Sequence, residues 1–262
     1  NISKVTFSIF ILFLFCSFQL SAQETAIYTQ SYRDFEIAQE HYNEGNYSLA
    51  QQYFEKTIAL PAYSFTDEME LTKVQSLYYQ AICALKLDHP NAEMLLTKFI
   101  DEQNNPYYNS LAYYQLGKIY FEKKQYRNVI SAYEDIDLAS LPDDERSEVQ
   151  FQLGYSYFSS KKFNKAKKLF GQTINTRNDY YYPANYYYGM TSFFEGKYSE
   201  AITSFKQVES TAKYRPHVPY YITQIYFAQG KYDEVIDYGI TKTKNKSLKK
   251  RPEINQLVGQ AF

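Results

Sequence analysis

Three histidines (His41, His89 and His217), two cysteines (Cys16 and Cys83) and 29 acidic residues are the side chains from which this 262-residue chain could build a metal centre or an active site. A zinc site needs three or four converging N, S or O ligands, usually announced by paired spacings such as CxxC or HExxH. Neither pair occurs, and each histidine stands alone in its own stretch. There is also no glycine-rich phosphate loop and no GxSxG elbow. Carboxylate pairs such as Asp143 and Asp144, or Glu68 and Glu70, fall where helices should begin, and there negative charge complements the helix dipole. These residue types predict no catalysis, no metal and no cofactor. They direct attention to aromatic rings instead, because the stretch DYYYPANYYYGM places six tyrosines between Tyr180 and Tyr188.

The elements that carry those rings should be helices. Gly (9) and Pro (8) are scarce, which favours helices joined by short turns over strands and loops. A net charge of −1 predicts no nucleic-acid partner, since a duplex binder concentrates basic residues to displace counterions from phosphates. The N-terminal residues NISKVTFSIFILFLFCSFQLSAQE combine one Lys, an apolar run and a small-residue exit, the three parts of a secretory signal peptide over residues 1–22, cleaved after Ala22. The run is shorter than the roughly 20 residues of a membrane-spanning helix. Cys16 lacks the small residues that precede a lipidated cysteine, and Cys83 is expected as a small buried residue on a helix.

Self-alignment shows a repeat. YYGMTSFFEGKYSEAITSFKQV (from Tyr187) recurs as YITQIYFAQGKYDEVIDYG (from Tyr221), with Gly196 and Gly230 separated by 34 residues. The same frame begins at Phe35, Tyr114 and Phe151. A small residue recurs at Ala38, Gly117, Gly154 and Gly189. A turn follows at Gly45, Lys124, Lys161, Gly196 and Gly230, then an aromatic at Tyr47, Tyr126, Phe163, Tyr198 and Tyr232. The next helix carries Ala50, Val129, Ala166, Ala201 and Val235, with Phe54, Tyr133, Phe170 and Phe205 four residues later on the first four of these, an i, i+4 face made for core packing. The unit from Tyr78 to Ile100 is degenerate, and Pro90 is expected in the first turn of its second helix.

This pattern resembles the tetratricopeptide repeat (TPR) family of 34-residue helix-turn-helix units. The resemblance implies an all-α, right-handed superhelical solenoid over residues 23–262, with about six repeats starting near 31, 73, 110, 147, 182 and 216. A truncated seventh begins at 252, the mark of the N-terminal portion of a longer chain with downstream domains. In that family the fifth and ninth residues of the first helix line a concave groove. Here the fifth positions are Phe35, Tyr114, Phe151, Tyr186 and Tyr220, and Tyr155 and Met190 are ninth positions. Tyr188 is expected against the second helix and the next unit, and Tyr180 to Tyr182 in the connection between units. Family members that clamp a C-terminal carboxylate use Lys and Asn at these groove positions, and this chain departs from that pattern. The rings can pack between units or supply rigid contact area to a partner.

The resulting expectation is a non-catalytic protein-protein interaction scaffold of the bacterial cell envelope, exported and periplasmic or outer-membrane associated. It would bind a peptide or protein segment in an aromatic concave groove. Two alternatives stay open: the periplasmic sensor region of a larger signalling protein of histidine-kinase type, or an accessory arm of an envelope enzyme or secretion assembly. The runs KKFNKAKK (from Lys161) and KTKNKSLKKR (Lys242 to Arg251) read as solvated faces, the second also as a site of peripheral contact with anionic lipid.

Overall fold

The computed structural model describes residues 29–30, 32–59 and 67–262, so the signal-peptide reading of residues 1–22 lies outside the described residues. The described residues form helices and turns, with no strand among them. Helix α1 covers residues 32–43, α2 is Tyr47–Ala59, α3 Asp67–Lys86, α4 Ala92–Glu102 and α5 Pro106–Glu122. They are followed by α6 Tyr126–Glu134, α7 Asp143–Ser159, α8 Phe163–Thr173, α9 Tyr181–Phe194 and α10 Tyr198–Val208. Helices α11 Val218–Ala228, α12 Tyr232–Thr243 and α13 Arg251–Ala261 complete the described chain. Acidic residues open α3 (Asp67, Glu68, Glu70) and α7 (Asp143, Asp144, Glu145), where the helix dipole favours them.

The helices pair because one local device is used six times. Each first helix ends in a residue of positive φ: Gly45, Asp88, Lys124, Lys161, Gly196 and Gly230, between 54° and 80°. At each, the N–H of the positive-φ residue donates to the carbonyl three residues back, and the next N–H to the carbonyl five back. Lys161 N–H reaches Phe158 O at 2.9 Å, for example, and Lys162 N–H reaches Tyr157 O at 2.9 Å. This pair of hydrogen bonds closes the helix end and turns the chain sharply into the next helix. Glycine occupies the left-handed conformation without steric cost, while Asp88, Lys124 and Lys161 adopt it against their own Cβ.

The described residues divide within α5 into two compact units, the first ending at Ile119 and the second running from Tyr120 to Phe262. In the first, Phe54 of α2 is fully buried and stacks on Tyr79 of α3 (5.5 Å, 14°), with Phe35, Ala38, Ala50 and Cys83 buried around it. Burial pushes the Cys83 thiol up to about 12, so it is a packed, protonated thiol. In the second unit the same arrangement recurs: Phe170 of α8 stacks on Tyr187 of α9 (5.8 Å, 25°), and Phe205 of α10 on Tyr221 of α11 (5.6 Å, 17°). The small residues make room for these rings. A methyl group on Gly154 would lie 2.9 Å from Phe170, and one on Gly189 would lie 2.8 Å from Phe205.

Two local expectations change. Pro90 lies in the turn ahead of α4, which begins at Ala92 after Asn91. Tyr181 and Tyr182 open α9 instead of lying in the connection. The bond from the Tyr181 N–H to Asn178 O and a side-chain bond from the Tyr180 N–H to Asn178 Oδ1 start the helical path earlier than Pro183 suggests.

Candidate functional site

The tyrosine-rich helix α9 sorts its rings by face. Tyr187 is the centre of an aromatic cluster. Besides stacking on Phe170, it meets Tyr155 edge-on at 4.9 Å, Phe158 at 5.3 Å and Phe151 at 6.2 Å. Edge-to-face and offset stacks are the arrangements that ring quadrupoles favour. Tyr186, its neighbour at 5.2 Å, points away to stack on Tyr214 (4.6 Å, 19°). Burial, followed by neighbouring tyrosines, raises both phenols well above the ordinary tyrosine range, so neither acts as an acid or base near neutrality. Tyr188 does not face the next unit as its position suggests. Its ring lies against Gly171 of the preceding α8, and its hydroxyl donates to Glu200 Oε2 at 3.0 Å on its own partner helix α10.

The seven groove residues divide by burial. Phe35 and Tyr114 in the first unit are 6% and 4% exposed, and Met190 in the second is 8% exposed, so these three are committed to packing. Phe151, Tyr155, Tyr186 and Tyr220 are half-buried and keep part of each ring accessible. Phe151, Tyr155 and Tyr186 are gathered around Tyr187, whereas Tyr220 reaches the group through Tyr221 at 5.6 Å and packs on the cluster of Val235, Leu248, Ile254 and Val258.

A second set of rings lies along the turns; the aromatics that follow each turn were expected, but not the rings they meet. At five of the six turns the residue three before the positive-φ residue is aromatic and meets the ring that opens the next helix: Tyr42 with Tyr47 (5.5 Å), Phe121 with Tyr126 (6.1 Å), Phe158 with Phe163 (5.6 Å), Phe193 with Tyr198 (6.3 Å) and Phe227 with Tyr232 (5.6 Å), whereas Leu85 precedes the turn at Asp88. Phe194 extends the row by stacking on Phe163 (5.4 Å, 21°), yet it is 53% exposed. The signal is present in the strings YFEKKQY, YFSSKKF, FFEGKY and YFAQGKY, where an aromatic precedes the turn at constant distance.

Charged groups fasten the same junctions. Lys167, expected on a solvated face, is 12% exposed at its side chain and bridges Glu195 (3.1 Å) and Glu200 (2.6 Å), while Lys197 also reaches Glu195 (2.9 Å). Burial would raise the Glu195 carboxyl, but hydrogen bonds from Lys197 and Lys167 outweigh it and hold the group below the usual carboxylate range. One junction earlier, Tyr157 donates a hydrogen bond to Glu134, which Lys165 approaches at 3.1 Å. The histidines do not converge: His41 contacts Glu44 at 3.6 Å, and His89 and His217 are exposed at separate turns. Among the described residues no group of three or more His, Cys, Asp or Glu side chains could hold a metal ion, and no helix is long and apolar enough to cross a membrane.

Comparison with known proteins agrees with this geometry. Tetratricopeptide-repeat models match residues 111–136 and 148–176, which include the α5–α6 and α7–α8 turns. No curated protein sequence matches significantly. Among solved structures, MamA of strain AMB-1 is 18% identical, covering 70% of this chain and 92% of its own at a TM-score of 0.52. A fragment of MamA from Desulfovibrio magneticus RS-1 is 17% identical, covering 70% of this chain and 96% of its own at a TM-score of 0.50. With two matched repeats, one turn device used six times and a shared fold, the chain carries tetratricopeptide repeats at residues 111–136 and 148–176 and is an all-α helical-repeat solenoid.

Proposed function

We propose that this chain is a non-catalytic protein-protein interaction scaffold of the bacterial cell envelope, and that it holds a peptide or protein segment on the aromatic face of its second unit. The observation that carries this reading is the set of half-buried rings Phe151, Tyr155 and Tyr186, fixed in position around the buried side of Tyr187. Rings held by such packing lose little further entropy when a partner covers them, which is why rigid aromatics dominate binding hot spots. The partner would be recognised by shape and apolar contact, because the groove positions lack the Lys and Asn pair of a carboxylate clamp. Export to the periplasm or the outer membrane is supported by the composition of residues 1–22. The basic run from Lys242 to Arg251 is suited to peripheral contact with anionic lipid.

The test is site-specific photocrosslinking in intact envelopes, with the photoreactive residue at Tyr155 or, as control, at the exposed Ile240 of α12. A discrete adduct from position 155 that is absent from position 240 supports the aromatic face as the binding surface. Equal adducts from both positions, or none from either in a folded protein, would rule it out. N-terminal sequencing of the envelope-associated protein checks the export reading, since a start at Gln23 is expected.

A further inference from the structure

The second unit gathers three cations around a single carboxylate. A cleft of about 360 Å3 opens between the end of α10, the turn before α11 and the end of α12, and Lys206, Arg215 and Lys242 line it together with Glu209. Glu209 is only 13% exposed at its side chain, and it organises the site. Its Oε1 accepts a hydrogen bond from the Tyr238 hydroxyl at 2.6 Å and the ammonium of Lys242, and its Oε2 lies 3.9 Å from Lys206. Both lysines also lie over the Tyr238 ring, Lys242 at 5.1 Å and Lys206 at 5.3 Å from its centroid. One carboxylate thus gathers two ammonium groups and can neutralise only one of them. Arg215 is exposed on the same cleft and makes no ion pair among the described residues. The lining therefore carries three positive charges against one negative, a surplus of two.

Neutral donors complete the set. Asn245 Oδ1 accepts from the N–H and hydroxyl of Ser247 at 3.0 and 2.9 Å, which commits its oxygen and leaves the Nδ2 hydrogens for another acceptor. A cleft of this volume is at the small end of ligand sites. A phosphate group carries about −1.5 to −2 charge and three strong acceptor oxygens, which match a surplus of two charges with a guanidinium fork among the donors.

We propose that this cleft binds a doubly charged oxyanion of the phosphate class, with Arg215 as its principal ligand, Lys206 and Lys242 as supporting cations and Asn245 as a neutral donor. The phosphate can come from a free phosphorylated molecule or from the phosphomonoester headgroup of phosphatidic acid, which carries the same charge. The exposed residues Lys244, Lys246, Lys249, Lys250 and Arg251 continue the positive surface beside the cleft.

The test titrates the folded protein with inorganic phosphate against chloride at matched ionic strength, and separately measures co-flotation with vesicles containing phosphatidic acid against phosphatidylcholine vesicles. Each measurement is repeated on Arg215→Ala, whose exposed side chain takes no part in the core. Phosphate binding that weakens roughly tenfold or more in the variant, the loss expected for a charge-assisted contact, supports a site for free phosphate. Flotation with phosphatidic acid that falls in the variant, with no binding of inorganic phosphate, supports the headgroup. Absence of both, or binding that Arg215→Ala leaves unchanged, overturns the proposal.

Discussion

Two junctions in the second unit use the same position differently. Between α8 and α9, Phe170 is covered by the ring of Tyr187. Between α6 and α7, the equivalent ring is Tyr133, and its partner at the same point of the frame is Gln152, whose Oε1 accepts a 2.7 Å hydrogen bond from the Tyr133 hydroxyl. Both Tyr133 and Gln152 are buried, and Gln152 is itself fixed by a bond from its Nε2 to Glu148 Oε1 at 2.8 Å. The frame thus requires that the aromatic of one second helix be covered by the following first helix, and leaves open whether a ring or an amide does it. The physical consequence differs. A ring stack is mostly area removed from water and degrades gradually, whereas a buried hydrogen bond is directional and expensive when only one partner is removed.

The largest expected effect is at the ring-built junction. Tyr187→Ala removes a side chain shared by Phe151, Tyr155, Phe158 and Phe170 and should cost about 3–5 kcal/mol. Because repeat arrays gain stability from neighbour terms, hydrogen exchange should show the loss concentrated in α8 and α9. Unchanged protection there would mean that Tyr187 is not what couples the two helices. Gly154→Val, which puts branched carbon into the 2.9 Å gap beside Phe170, should cost roughly 1–3 kcal/mol in a urea melt. At the amide-built junction, Gln152→Leu should cost about 1–3 kcal/mol by removing the amide acceptor of the Tyr133 hydroxyl, and Tyr133→Phe added to it should restore most of that. A double variant no better than Gln152→Leu alone would show that the contact depends on shape and not on the hydrogen bond.

Acid should separate the junctions further. Glu195 and Glu134 are both held below the usual carboxylate range, Glu134 chiefly by the Tyr157 hydroxyl and then by Lys165. A depressed carboxylate contributes stability that is fully present above its unfolded value, about 4.3, and is lost as pH falls through the lower folded value. Glu195 is 13% exposed at its side chain and Glu134 47%, so solvent screens the second more. Exchange protection should therefore fall more in α9 and α10 than in α6 and α7 as pH drops below about 4. Equal losses would assign the acid response to net charge. The smallest effect is expected at the turns. Lys161→Gly relieves a φ of 58° and should stabilise by at most about 1 kcal/mol, while Gly196→Lys should do the reverse.

Much of this architecture was legible because its causes are local. A left-handed residue that closes a helix and a ring placed two residues later are decided within a few residues of chain, so Gly45, Lys124, Lys161, Gly196 and Gly230 stood out by spacing and all have positive φ. Gly154 and Gly189 were legible as close approaches for a related reason. Only a missing Cβ leaves space for Phe170 and Phe205, and the recurrence of small residues records it.

The aromatic face was only partly legible. Tyr186 and Tyr187 are adjacent and chemically identical, yet one stacks on Tyr214 and the other on Phe170. Their direction depends on where α8 and the turn before α11 lie, and no local pattern contains that. Burial of Phe35, Tyr114 and Met190 at positions expected to be open has the same origin, as does the use of Lys167 inside a junction. The cleft around Glu209 was hidden most completely, because it joins Lys206 to a lysine more than thirty residues later through one carboxylate. By itself, then, the sequence determined the helices, the turns and the places where helices touch, since backbone conformation and side-chain size act at short range. Which rings are buried, which stay exposed and which charges share a cleft was decided only by the tertiary structure, because burial and charge pairing are properties of neighbours that the chain brings together by folding.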